Sequence, residues 1–367
     1  MENNYQNTNT ITNYGNPLHQ NVKLYPAEYF EKKAEKKILS CRANWMGAEL
    51  LLVQVFGIFA SIIALIVLAF MGWGNGEGGV HEDALEYIFY SPISLLIPAI
   101  IIAWCSKQKI TELIPFKKTS FSTALGLFLF GFLSLAIGGM LSDIVAFVLP
   151  TSSAILEISQ SPNPTSYSEW IALILYSAAI PALVEEFVFR GVMLNSLRRY
   201  GDAIAIWFSA IMFALVHGNF LQIAVTLPAG LFLGFITVCS GNIWVAVALH
   251  FANNFIACIT GELYSLLSPI ITSVIGEVSS DIMGIIFSGI IYAIYIIFGI
   301  VGAIILKAKF KKDENFGTAS NGTVTCLTNK EKIKGLYFAP TVIIAIIFQL
   351  GQSILLLFPP VIEFLKQ

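Results

Sequence analysis

The chain has 367 residues, 56% of them hydrophobic and only 12% charged, with a mean hydropathy of +0.75. A soluble domain carries about a quarter charged residues, so this chain has too little polar surface to cover a soluble body and reads as an integral membrane protein. A formal net charge of −2, with no basic stripe interleaved with aromatics, gives no ground for nucleic-acid binding.

Residues 1–45 form a polar head, opening "MENNYQNTNTITNYGNPLHQN", whose composition predicts disorder. It lacks a basic start followed by a short apolar run, so no cleavable signal is expected. It closes on a basic cluster of Lys32, Lys33, Lys36, Lys37 and Arg42. Apolar runs of spanning length, about 20 residues, follow near 50–72, 86–104, 121–149 and 168–189. Others lie near 203–226, 228–240, 242–260, 281–306 and 338–358. The run from 228 begins at Pro228, which reads as a helix break, and residues 263–276 read as a short surface or re-entrant piece. The expected fold is an all-α polytopic transmembrane bundle of about eight or nine spans. By segment it divides into N-terminal helices (46–160), a motif-bearing core (161–262) and C-terminal helices with a basic loop (263–367).

Loop charge sets the expected orientation. Cations gather in the head, at Lys107, Lys109, Lys117 and Lys118, at Arg198 and Arg199, and from Lys307 to Lys312; the loops 72–83 and 150–169 contain no Lys or Arg. The alternation is self-consistent with a cytoplasmic N-terminus in a cell membrane, with the bilayer as the first partner. No internal repeat is visible, which counts against the duplicated architecture of many transporters. The five cysteines show no CxxC spacing and read as buried free thiols. Gly230 and Gly234 form a small-xxx-small pair suited to close helix packing.

Charged and imidazole side chains inside the apolar runs need a reason, since each costs at least about 2.5 kcal/mol at the bilayer centre. Of four histidines, His19 and His81 lie in polar segments and read as solvated, whereas His217 and His250 lie in apolar runs. Glu185 and Glu186 precede Gly201 by sixteen and fifteen residues, and His217 follows it by sixteen. Two helical arms at 1.5 Å per residue place all three about 22–24 Å from one turn. A second turn at "CSGN" places His250 about 13 Å from Gly241. Glu186 and Arg190 are spaced i, i+4 and so face each other, leaving Glu185 free as an acid or base. His250 and Asn254 share a face in the same way, with Asn253 turned elsewhere; the Asn254 amide could fix the histidine tautomer or donate to an oxyanion. A carboxylate, two imidazoles and an amide suffice to activate water against a carbonyl. Taken singly, each group has a plainer reading: a helix-joining ion pair, a packing histidine, or a core phenylalanine at Phe213.

In order, "EEFVFR" (EExxxR), "FALVH" (FxxxH) and "HFANN" (HxxxN) resemble the three motifs of the CPBP family. These are intramembrane proteases that include type II CAAX prenyl endopeptidases and bacteriocin-processing or self-immunity proteins. The resemblance covers about residues 168–260. It implies an endopeptidase acting on a peptide or membrane-protein substrate. By it, Glu185 is the base, Glu186 pairs with Arg190, and Phe213 packs within its motif. His217 and His250 position water or bind a metal, and Asn254 stabilises the oxyanion. Zinc held by Glu185, His217 and His250, with an open position, and a metal-free Glu–His pair both stand as expectations. Two rival classes share the motifs: a non-catalytic membrane partner such as an immunity protein, and a proton-coupled transporter.

Overall fold

The computed structural model describes residues 26–73, 79–106, 108–149, 164–310 and 325–358. They are mostly helical, with one isolated bridge between Phe116 and Asn242. Ten helices are numbered here: α1 (Ala27–Met71), α2 (Val80–Cys105), α3 (Phe121–Val148), α4 (Tyr167–Tyr200), α5 (Asp202–Leu215), α6 (Phe220–Ser240), α7 (Ile243–Ile275), α8 (Ser280–Phe310), α9 (Asn329–Tyr337) and α10 (Pro340–Leu355). Seven of the described helices are long and apolar enough to cross a membrane, and eight spans result if α9 and α10, bent by 61°, count as one. The polytopic helical bundle is therefore as expected, but it reaches the lower expected count of eight only with the bent pair as one span, because the run near 203–226 gives only the short helix α5 before α6 begins.

Three boundaries and one burial reading differ from the expectation. The polar head is helical from Ala27, so its last nineteen residues extend α1 rather than lying disordered; residues 1–25 fall outside the described ones. Residues 27–45 have partners on α9: Lys32 and Lys36 both reach Glu331, at 3.0 and 2.8 Å, and Leu39 and Ala43 share a buried cluster with Leu336. Pro228 lies inside a continuous α6 that starts at Phe220, so the break falls earlier, at Gly218 (φ 66°), and not at the proline. Residues 263–276 are no separate piece: all but the last belong to α7, whose interior also tolerates Pro269. Finally, only Cys258 is buried among the five free cysteines.

Local chemistry places the turns. Gly201 (φ 123°) separates α4 from α5, and Gly241 (φ 62°) separates α6 from α7, backbone conformations glycine adopts without a Cβ penalty. Asn219 and Asn242 then cap the following helices, their Oδ1 atoms accepting from the N–H of Gln222 at 2.8 Å and of Trp244 at 2.9 Å. α4 is interrupted by two π-helical segments, Leu175–Ala179 and Phe187–Leu194, and α2 by one, Pro92–Leu96. Two of the three end two residues before a proline, Pro98 or Pro181. Proline has no N–H for the carbonyl four residues back and its ring crowds that carbonyl, so a widened turn there is the expected accommodation.

Packing follows small residues. A Cβ on Gly230 would sit 3.0 Å from Ala210 Cα and 3.2 Å from Phe213 Cδ1, and one on Gly234 would sit 3.2 Å from Leu194 and Ile206. The glycine pair thus brings α6 against α4 and α5, as its spacing implies. Gly126 of α3 and Gly302 of α8 do the same for that pair. On α1 a stripe of Leu39, Ala43, Met46, Leu50, Val53, Ala60, Ala64 and Leu68 is buried, while Ile58, Phe59, Ile62, Leu65 and Ile66 face outward. That apolar outer face suits lipid.

Candidate active site

The site is built where α4, α5, α6 and α7 meet. Glu185 and Glu186 sit at the seam between the α-helical turn Ile180–Glu186 and the π-helical segment that follows. Both are buried, as is Arg190. Arg190 Nη1 donates to Glu186 Oε1 at 2.8 Å, the i, i+4 pair expected from the sequence. Its Nη2 donates to the Gly230 carbonyl at 3.4 Å, and its guanidinium carbon lies 4.3 Å from the centroid of the Phe213 ring. The cation is thus held by a carboxylate, a carbonyl and an aromatic face.

His250 joins this group from α7. Its Nδ1 lies 2.8 Å from the same Glu186 oxygen that Arg190 holds. A carboxylate paired with arginine only accepts, so Nδ1 is the donor in this contact, and in the neutral ring Nε2 keeps its lone pair. The tautomer is therefore set by Glu186, across two helices, and not by Asn254 as the i, i+4 spacing suggests. Nε2 points at Glu185, 3.7 Å from Oε2, too far for a direct hydrogen bond. That Glu185 oxygen is buried and has no hydrogen-bond partner among the described residues.

His217 comes from the turn just after α5, not from within a span. Its Nδ1 lies 2.8 Å from the Phe213 carbonyl, so by the same logic its Nε2 is free. Phe213 is the hub: its ring meets His217 edge-on at 5.1 Å and His250 at 5.7 Å, besides the arginine. This phenylalanine is core, as its plain reading has it, and it also spaces the two imidazoles.

Glu185, Phe213, His217, His250, Asn253 and Asn254 all line one cavity of about 680 Å³. Its remaining walls mix Tyr87, Tyr176, Gln222 and Thr226 with Leu135, Leu221, Val225 and Leu249, so polar and apolar side chains share the lining. Asn253 is a correction, since it lines the cavity too. Its Nδ2 donates to Asn254 Oδ1 at 2.9 Å. The HxxxN spacing leaves it out; the only signal for it was a second amide in "HFANN".

Among the described residues, no group of three His, Cys, Asp or Glu side chains is arranged to hold a metal ion. The imidazole Nε2 atoms and the Glu185 oxygen are chemically suited to zinc, but as they stand they make a Glu185–His250 pair rather than a three-donor cradle, and no step below passes through a metal.

Comparison with known families gives one result: residues 167–256 match the family described as type II CAAX prenyl endopeptidase Rce1-like. The matched stretch runs from α4 into α7 and contains every residue of the three motifs, so the resemblance is borne out. Comparisons with curated proteins and with solved structures give no match.

Proposed function

We propose that the chain, through its Rce1-like domain, is a membrane-embedded endopeptidase in which Glu185 activates water against a peptide carbonyl. The observation that supports this best is the buried, unpartnered Glu185 oxygen 3.7 Å from a histidine nitrogen whose proton is held on its other side. The water would come from the cavity that Glu185 and His250 both line and lie between the two. Glu185 takes one proton from that water as its oxygen bonds to the carbonyl carbon. Negative charge then develops on the carbonyl oxygen, and Asn254 Nδ2–H donates to it. On collapse the C–N bond breaks, the amine leaves with the proton stored on Glu185, and the acyl half departs as a carboxylic acid. His217, whose Nδ1 is taken by the Phe213 carbonyl, offers Nε2 as an acceptor and so positions the water within the same cavity. Arg190 and Glu186 stay out of the proton transfers and keep His250 oriented.

The test uses full-length protein in detergent and a library of quenched C-terminal peptides, prenylated and unprenylated, with and without chelator. Wild-type protein cleaves at least one member, and Glu185→Gln, which keeps shape and loses basicity, abolishes cleavage while accumulating and eluting normally. Retained cleavage by that variant removes Glu185 from the mechanism. A purely binding partner or a carrier would hydrolyse nothing in the library.

A further inference from the structure

We infer that Asn253 is a positioning residue that sets the orientation of the Asn254 amide, an assignment that rests on the endopeptidase reading above. A primary amide has a donor edge and an acceptor edge, and its terminal torsion is soft and roughly two-fold. Turned one way, Asn254 offers N–H to a developing oxyanion; turned by half a rotation, it offers lone pairs and repels it. Asn253 Nδ2 donates to Asn254 Oδ1 at 2.9 Å. That bond occupies the acceptor edge and leaves the Asn254 N–H bonds for the cavity that both residues line. Asn253 also lines a smaller, mostly apolar cavity beside Ile256, Leu263, Phe287 and Ile291. An amide left unbonded there is costly, which further favours the bond to Asn254.

The chemistry makes an asymmetric prediction. Asn253→Ala frees the Asn254 amide to take both orientations. Asn253→Asp presents an acceptor instead of a donor, so Asn254 turns its N–H towards residue 253 and its oxygen towards the substrate. The two variants, Asn254→Ala and the double Asn253→Asp/Asn254→Ala are compared as purified full-length proteins on the library peptide that wild type cleaves fastest.

Loss of one oxyanion donor lowers kcat about 100-fold or more. Asn254→Ala and Asn253→Asp should both show that loss with KM within about twofold of wild type, whereas Asn253→Ala stays within about tenfold. The double variant should be no slower than Asn254→Ala, because both changes act through one amide. Asn253→Asp no slower than Asn253→Ala, a loss carried by KM, or a double variant slower than Asn254→Ala each overturns the inference. Wild-type kcat in Asn254→Ala removes Asn254 as oxyanion donor and overturns the inference, whereas no cleavage by wild type overturns the endopeptidase reading itself. Should Asn253→Asp not elute as folded protein, Asn253→Gln decides: it retains a donor and keeps kcat above that of Asn253→Ala, and equal losses refute the assignment.

Discussion

Removing the charge of Arg190 should destabilise the protein more than removing both members of its ion pair. Arg190 and Glu186 are fully buried and 2.8 Å apart, and the second Glu186 oxygen has no partner among the described residues. Arg190→Met keeps volume and leaves a buried carboxylate with only the His250 Nδ1–H, a change worth about 3–5 kcal/mol. Glu186→Met/Arg190→Met removes the stranded charge as well. Its remaining cost is the unmet Nδ1–H of His250, about 1–3 kcal/mol. The double variant should therefore be the more stable by roughly 2 kcal/mol, although it loses cleavage because the Glu186 carboxylate that holds His250 is gone. The assay is the fraction of detergent-solubilised protein that stays monodisperse after heating, read against temperature, beside peptide cleavage. A double variant no more heat-resistant than the single would refute the view that the pair serves to solvate and aim His250 rather than to add stability.

Phe213→Ala should cost about 3–5 kcal/mol and abolish cleavage, because the ring touches Arg190, His217 and His250 at once; the same heating assay reads it. Gly230→Val should lower stability by about 1–3 kcal/mol, since even its Cβ meets the Ala210 backbone at 3.0 Å, and wild-type heat resistance would show that α5 and α6 are less tightly joined than described. Thr328 caps α9 in a capping box with Glu331, so Thr328→Ala should cost about 1 kcal/mol and speed proteolysis between residues 325 and 337. The proposed cytoplasmic N-terminus predicts that a membrane-impermeant thiol reagent labels the exposed Cys41 and Cys105 in lysed cells and not in intact ones.

Much of the core was legible because its signals are local. Apolar length and loop charge mark spans, Gly201 and Gly241 mark the two hairpin turns, and Glu186 meets Arg190 because helix geometry puts i and i+4 on one face. Distances from those turns put Glu185 and His217 at one depth and His250 nearer its own turn, and packing of α7 against α4 brought His250 to the glutamates. The π-helical segments of α4, the continuity of α6 through Pro228 and the helical character of residues 27–45 were not legible, because each depends on partners elsewhere in the chain. The lysines of the head show the point: Lys32 and Lys36 look like solvated charge until α9 brings Glu331 to them.

Composition and periodicity alone established a helical membrane protein with a polar cluster inside it. What the tertiary structure decided is how that cluster is wired: one Glu186 oxygen is shared by Arg190 from its own helix and His250 from α7, and two asparagines are joined on the cavity wall. Spacing along a helix reports only which side chains share a face. Which proton sits on which ring nitrogen, and which way an amide points, depends on atoms that only packing between helices brings within 3 Å.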